Sequence, residues 1–105
     1  EKFKIRINKS KVVTDFLAVP IYKAILFGSY AKGNPTRLSD IDIFIYSKRK
    51  IRGIDFFGVL EDITEALDIP VDLIEASQII AGCRVQQEIA KTGVVIYERK
   101  GYVDN

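Results

Sequence analysis

LFGSYAKGNPTRLSDIDIFI, residues 26–45, decides how the rest of the chain is read. An apolar run ends at Gly28-Ser29, and a second run of Ile and Phe carries Asp40 and Asp42 two positions apart. A strand turns alternate residues to the same side, so both aspartates share one face while Ile41, Ile43 and Ile45 share the other. Carboxylates about 6.6 Å apart along a strand repel by roughly 2–3 kcal/mol at a protein-like effective dielectric. A strand tolerates that cost where a cation, a ligand or open water relieves it.

The 105 residues suffice for one domain with one core, and residues 1–105 are read as a single domain. With 48% hydrophobic and 29% charged residues, the balance is that of an ordinary soluble globular protein. A net charge of +2 gives no reason to expect direct nucleic-acid binding. Basic residues do cluster, from Lys2 to Lys11 and again at Lys48, Arg49, Lys50 and Arg52. Such runs are usually solvated, the alternative being a surface for an acidic partner or polyphosphate.

Histidine is absent, which removes Ser-His-Asp and Cys-His nucleophilic schemes, His-ligated zinc and the commonest general base. The single Cys83 closes no internal disulfide, and a cytoplasmic location is expected. No stretch approaches the ~20 apolar residues of a membrane span. A chain that begins at Glu1 and lacks Met is expected to have lost its original N-terminus. The chemistry left is that of metal, carboxylate and backbone amide.

Along the chain, residues 3–7 alternate apolar and basic and read as an edge strand or the lead into a helix. Helical spacing runs from Lys11 to Val19 and stops before Pro20. Tyr22 to Phe27 has the length of a strand. Ser29 to Lys32 reads as one helical turn closed by Gly33. Ile41 to Tyr46 is the second core strand, followed by a basic loop from Ser47 to Gly53. Asp55 is expected to cap a helix from Phe56 to Leu67, with Phe56 inward. Pro70 opens a third strand, Val71 to Ile74. Ser77 is expected to cap a turn, Gly82 interrupts it, and a helix runs on to Thr92 with Val85 and Ile89 inward. Gly93 ends it before a last strand, Val94 to Tyr97. Strands alternating with helices predict an α/β (α+β) fold, a small mixed sheet flanked by helices.

The third strand repeats the anomaly, because Asp72 interrupts Val71, Leu73 and Ile74. If the second and third strands are neighbours, Asp72 joins Asp40 and Asp42 on one face. Converging carboxylates raise one another's pKa unless a divalent cation keeps them ionised. Mg²⁺ suits such a site, because it takes hard oxygen ligands and is shared between carboxylates and substrate phosphates. Gly28 then lets backbone approach a phosphate, and the turn after it offers free N–H groups with the Ser29 hydroxyl. GSYAKG is not a P-loop, since Asn34 stands where the P-loop lysine belongs. Each feature alone is weak; a lone Asp-x-Asp is more often an exposed strand edge. In this order they point to a nucleoside triphosphate with Mg²⁺.

Gly28-Ser29, ten intervening residues, Asp40-x-Asp42 and a later Asp72 resemble the DNA polymerase beta nucleotidyltransferase superfamily. The wording GSYAKGNPTRLSDIDIFI, PVDLIEA and EIAKTGVVIYE is similar to its minimal nucleotidyltransferases (MNT), over about residues 20–98. The resemblance implies the nucleotidyltransferase fold and ATP as substrate. It also implies that Asp40, Asp42 and Asp72 are catalytic and hold two Mg²⁺ ions, with Asp72 nearest the attacking hydroxyl. Gly28, Ser29, Lys32 and Ser39 are the implied nucleotide-binding residues. The family pattern Gly-Ser-x-Ala-Arg-Gly has arginine where this chain has Lys32, so charge is kept and two-pronged phosphate contact is lost. The implied reaction is in-line attack of a hydroxyl on the α-phosphorus, with pyrophosphate leaving and two metals stabilising the oxygens.

The chain has no room for an added acceptor-binding domain, so the acceptor is expected on another chain or on a second copy of this one. MNT proteins of this kind are often antitoxins encoded beside a HEPN-domain ribonuclease toxin, transferring AMP to a toxin tyrosine. That role is the leading expectation. A non-catalytic MNT-like subunit that holds its partner is the alternative, with a small-molecule adenylyltransferase and a glycosyltransferase behind it. Phe56, Phe57 and the basic loop before them are candidates for partner contact, and the tail from Tyr102 is expected to be loose.

Overall fold

The computed structural model describes residues 19–36, 40–48, 50–51 and 53–99. The readings at residues 3–7 and 11–18, at Ser39 and at the tail from Tyr102 lie outside the described residues. Four strands form one mixed sheet in the order β3-β2-β1-β4: β1 Lys23–Phe27, β2 Ile41–Tyr46, β3 Val71–Glu75 and β4 Val94–Glu98. β1 runs antiparallel to both β2 and β4, and β2 runs parallel to β3. The helices are α1 Ser29–Lys32, α2 Ile54–Leu67 and α3 Arg84–Thr92, with a turn of 3-10 helix at Ala76–Gln78. The α/β reading therefore holds, and no helix among the described residues is long and apolar enough to cross a membrane.

The period-two pattern of the strands sorts their side chains into two layers. Ala24, Leu26, Ile41, Ile43, Ile45 and Leu73 face α2, which contributes Val59, Ile63 and Leu67 to the larger core. Phe56 is half-buried against that core, whereas Phe57 is 67% exposed. On the other face Ile25, Phe27 and Phe44 form a smaller core, covered by Val85 and Ile89 of α3. Along β2 the second layer begins with an acid, since Asp42 precedes Phe44 on that side.

Two expected caps are replaced by others. α2 begins at Ile54, behind Gly53 at φ 61°, so Asp55 lies inside the first turn. There its carboxylate still faces the positive end of the helix. The turn after β3 is capped by Glu75 rather than Ser77; the Glu75 side chain accepts from the Ser77 N–H while Gln78 accepts from the Glu75 N–H. Glu75 is 3% exposed and also accepts from the Ser47 N–H (3.2 Å) and hydroxyl (2.9 Å), tying the end of β2 to the end of β3. Ser47 in turn accepts from the Ile51 N–H at 3.2 Å, which fixes the start of the basic loop.

Candidate active site

The registers bring the expected acids together at one end of the sheet. Asp42 pairs with Asp72 across β2–β3, and on its other side with Phe27 across β1–β2. Neighbouring strands lie about 4.8 Å apart, and paired residues project to the same face, so the two carboxylates are lateral neighbours. Asp40 precedes the strand by one residue and is exposed; the adjacent Ile41 N–H donates to the Pro70 carbonyl at 3.0 Å, holding the two strand starts level.

Gly28 follows Phe27 at φ 77°, ψ −155°, a region that essentially only glycine occupies. A Cβ there would lie 2.2 Å from Asp42 Oδ2. The glycine is thus required by the aspartate itself, whose carboxylate fills the space a side chain would take. Its N–H donates to Thr92 Oγ1 at 3.4 Å, and that hydroxyl donates to the Glu88 carbonyl at 2.9 Å. α1 starts directly after Gly28, with Ser29 half-buried at its first position, and closes on Gly33 in the left-handed region at φ 81°. The leading amides of such a turn have no upstream carbonyl within it to bond.

Burial pushes the Asp42 pKa up, the charges of Asp72 and then Asp40 push it further, and a hydrogen bond with Asp72 and the charge of Glu88 add to them; it rises from 3.8 to about 6. An unrelieved cluster of negative charge is what a divalent cation would relieve. Among the described residues no group of three or more acids is gathered closely enough to enclose a metal ion by itself. The donors fit a shared site, in which hard carboxylate oxygens take part of the coordination and phosphate and water the rest.

Lys32, expected on phosphate, has its ammonium 3.7 Å from the Glu88 carboxylate. Glu88 and Thr92 were not anticipated as part of the site. The sequence did carry a signal for them: Val85, Glu88, Ile89 and Thr92 recur at three and four, so the stripe that covers the sheet brings Glu88 and Thr92 with it.

A comparison with curated protein sequences gave no match. Among solved structures, the chain is similar to a toxin–antitoxin structure containing AMP-PNP, at 25% identity and a TM-score of 0.70, covering 89% of this chain and 75% of that one. It is similar to a candidate minimal nucleotidyltransferase at 17% identity and a TM-score of 0.71, covering 85% and 89%. A chain of the complex between tri-AMPylated Shewanella oneidensis HEPN toxin and MNT antitoxin gives 21% and 0.63, covering 90% and 73%. At their identities the last two show the fold. The family model described as polymerase beta, nucleotidyltransferase matches residues 13–102, and the chain belongs to that family.

Proposed function

We propose that the chain is a Mg²⁺-dependent nucleotidyltransferase that moves AMP from ATP to a hydroxyl, on a tyrosine of a HEPN-domain toxin that it thereby silences. The observation that carries this reading is the lateral pairing of Asp42 with Asp72 beside the side-chain-free surface of Gly28. Asp40, Asp42 and Asp72 would hold two Mg²⁺ ions. Bound there, the ions supply Lewis-acid stabilisation of the attacking and leaving oxygens. Gly28, Ser29 and the first amides of α1 hold the triphosphate, Ser39 adds a contact, and Lys32 brings positive charge to the rim. Asp72 accepts the proton of the incoming hydroxyl. The toxin partner and the use of ATP are supported by the likeness to the toxin–antitoxin structure containing AMP-PNP.

A non-catalytic binding subunit is the second reading. The Lys32–Glu88 pair favours it, since it occupies the cation expected on phosphate. The test is label transfer from α-phosphate-labelled ATP with Mg²⁺ to a purified HEPN-domain protein, comparing the chain with its Asp42→Asn variant. Label on a partner tyrosine with the unaltered chain alone is the expected result. A stable complex that takes up no label would establish the binding subunit instead.

A further inference from the structure

The end of the sheet remote from the acids carries a second concentration of charge that the reading above leaves unused. Tyr22 stands immediately before β1, its N–H donating to the Tyr46 carbonyl and its carbonyl accepting from the Arg99 N–H, both at 2.8 Å. Lys48 Nζ lies 4.9 Å, Arg99 Cζ 5.2 Å and Lys50 Nζ 5.5 Å from the centre of its ring. Lys50 also donates to the phenolic oxygen at 2.9 Å. Cation–π attraction to the ring works against the mutual repulsion of three gathered cations. A negative charge on the phenolic oxygen would turn all three into favourable partners.

We infer that Tyr22 is itself an acceptor hydroxyl, taking a nucleotidyl group from a nucleoside triphosphate held in the acid site of a second copy of this chain. The inference rests on the transferase reading. The Lys50 hydrogen bond, against a smaller effect of burial and with the charges of Lys50, Lys48 and Arg99, lowers the Tyr22 pKa, which activates the oxygen as a nucleophile. In the transfer the phenolic oxygen bonds to the α-phosphorus, the bond from that phosphorus to the bridging oxygen breaks, pyrophosphate leaves with the electron pair, and the phenolic proton passes to water. The product is a phosphodiester with one negative charge, set among Lys48, Lys50 and Arg99.

The reaction runs between copies. Tyr22 lies five residues from Phe27, the register partner of Asp42, which is about 16 Å along an extended strand. The other tyrosines among the described residues are worse placed: Tyr97 is buried at 8% exposure, Tyr46 packs edge-on against Phe44, and Tyr30 packs against the larger core.

The test incubates the full chain with α-phosphate-labelled ATP and Mg²⁺ over a tenfold range of protein concentration and maps the label by digestion and mass spectrometry. Label is expected on the Tyr22 peptide, accumulating faster per molecule as the chain is concentrated. Asp42→Asn chains acquire label when mixed with unaltered ones and not alone. Lys50→Ala slows labelling roughly tenfold, as loss of a hydrogen bond to a charged group implies. Tyr22→Phe abolishes self-labelling and leaves transfer to a partner tyrosine unchanged. Transfer to a partner with no label on Tyr22, or equal self-labelling of Tyr22→Phe, overturns the inference while the transferase reading stands. No transfer to any acceptor overturns both.

Discussion

Gly28 and Asp42 form a single unit, because the carboxylate of one occupies the volume that a side chain on the other would need. Gly28→Ala must therefore meet two costs, about 1–3 kcal/mol for a backbone region that essentially only glycine occupies and the displacement of Asp42 Oδ2, which a Cβ would approach to 2.2 Å. Gly33 also has positive φ, at 81°, but a Cβ there meets nothing within 4 Å. Both alanine variants are expected to melt earlier than the unaltered chain. Label transfer should fall on the order of a hundredfold in Gly28→Ala, as displacement of a reacting group by about an ångström implies, and stay near normal in Gly33→Ala. Thermal unfolding run beside the transfer assay separates the two effects, and equal activity in the two variants would show that the Gly28–Asp42 contact is unimportant. The position of Gly28 was legible in the sequence, but this reason for it was not: a glycine before a helical turn suggests room for phosphate, and only the β1–β2 register reveals the aspartate behind it.

Between the elements, Glu75 does for the remote end of the sheet what the Ile41–Pro70 bond does for the site end. Its carboxylate receives four hydrogen bonds, from the hydroxyl and N–H of Ser77 and of Ser47. Burial alone would raise its pKa, but the Ser77 and then Ser47 hydrogen bonds outweigh it and hold the pKa below 4.5. A carboxyl depressed in the folded state contributes stability that is present above its unfolded pKa and is lost as pH falls through the folded one. Glu75→Gln should cost about 1–3 kcal/mol near neutral pH, the range for leaving buried partners poorly satisfied, and should flatten the acid side of the stability profile. Urea unfolding between neutral pH and the carboxylate range checks both. The same residue marks where sequence reading stopped. The strands Ile41–Tyr46 and Val71 onward, and the turn Ser29–Lys32, announced themselves through alternation and glycine punctuation, and the Asp42–Asp72 meeting followed once β2 and β3 were taken as neighbours. The expected strand stops at Ile74, short of Glu75, and Ser77 reads as the cap, because serine is the commoner cap and no local pattern tells that a glutamate five residues after a proline will be buried. The start of α2 was misplaced for a similar reason: the left-handed conformation of Gly53 opens the helix, and nothing in the side chains of Ile54 and Asp55 discloses it.

For the molecule as a whole, the acid site is a source of instability that its ligand would remove. Because the Asp42 pKa is raised in the folded state, from 3.8 to about 6, ionising it withdraws stability as pH rises between those values. In chelator at neutral pH, Asp42→Asn is expected to melt above the unaltered chain. Mg²⁺ with ATP should reverse the order, since a ligand at a hundred times its dissociation constant stabilises by about 2.7 kcal/mol and the variant has lost part of the site that holds it. Differential scanning fluorimetry with and without chelator reads this directly, and a variant that gained as much as the parent would remove Asp42 from the site. The parallel pairing of β2 with β3 has one more consequence. A slip of a single residue between them would turn Asp72 inward, into the layer of Ile41, Ile43 and Ile45, and a bare carboxylate there costs several kcal/mol. Misaligned chains are thereby heavily penalised during assembly, so the two acids act as a proofreading device for the sheet that creates their site.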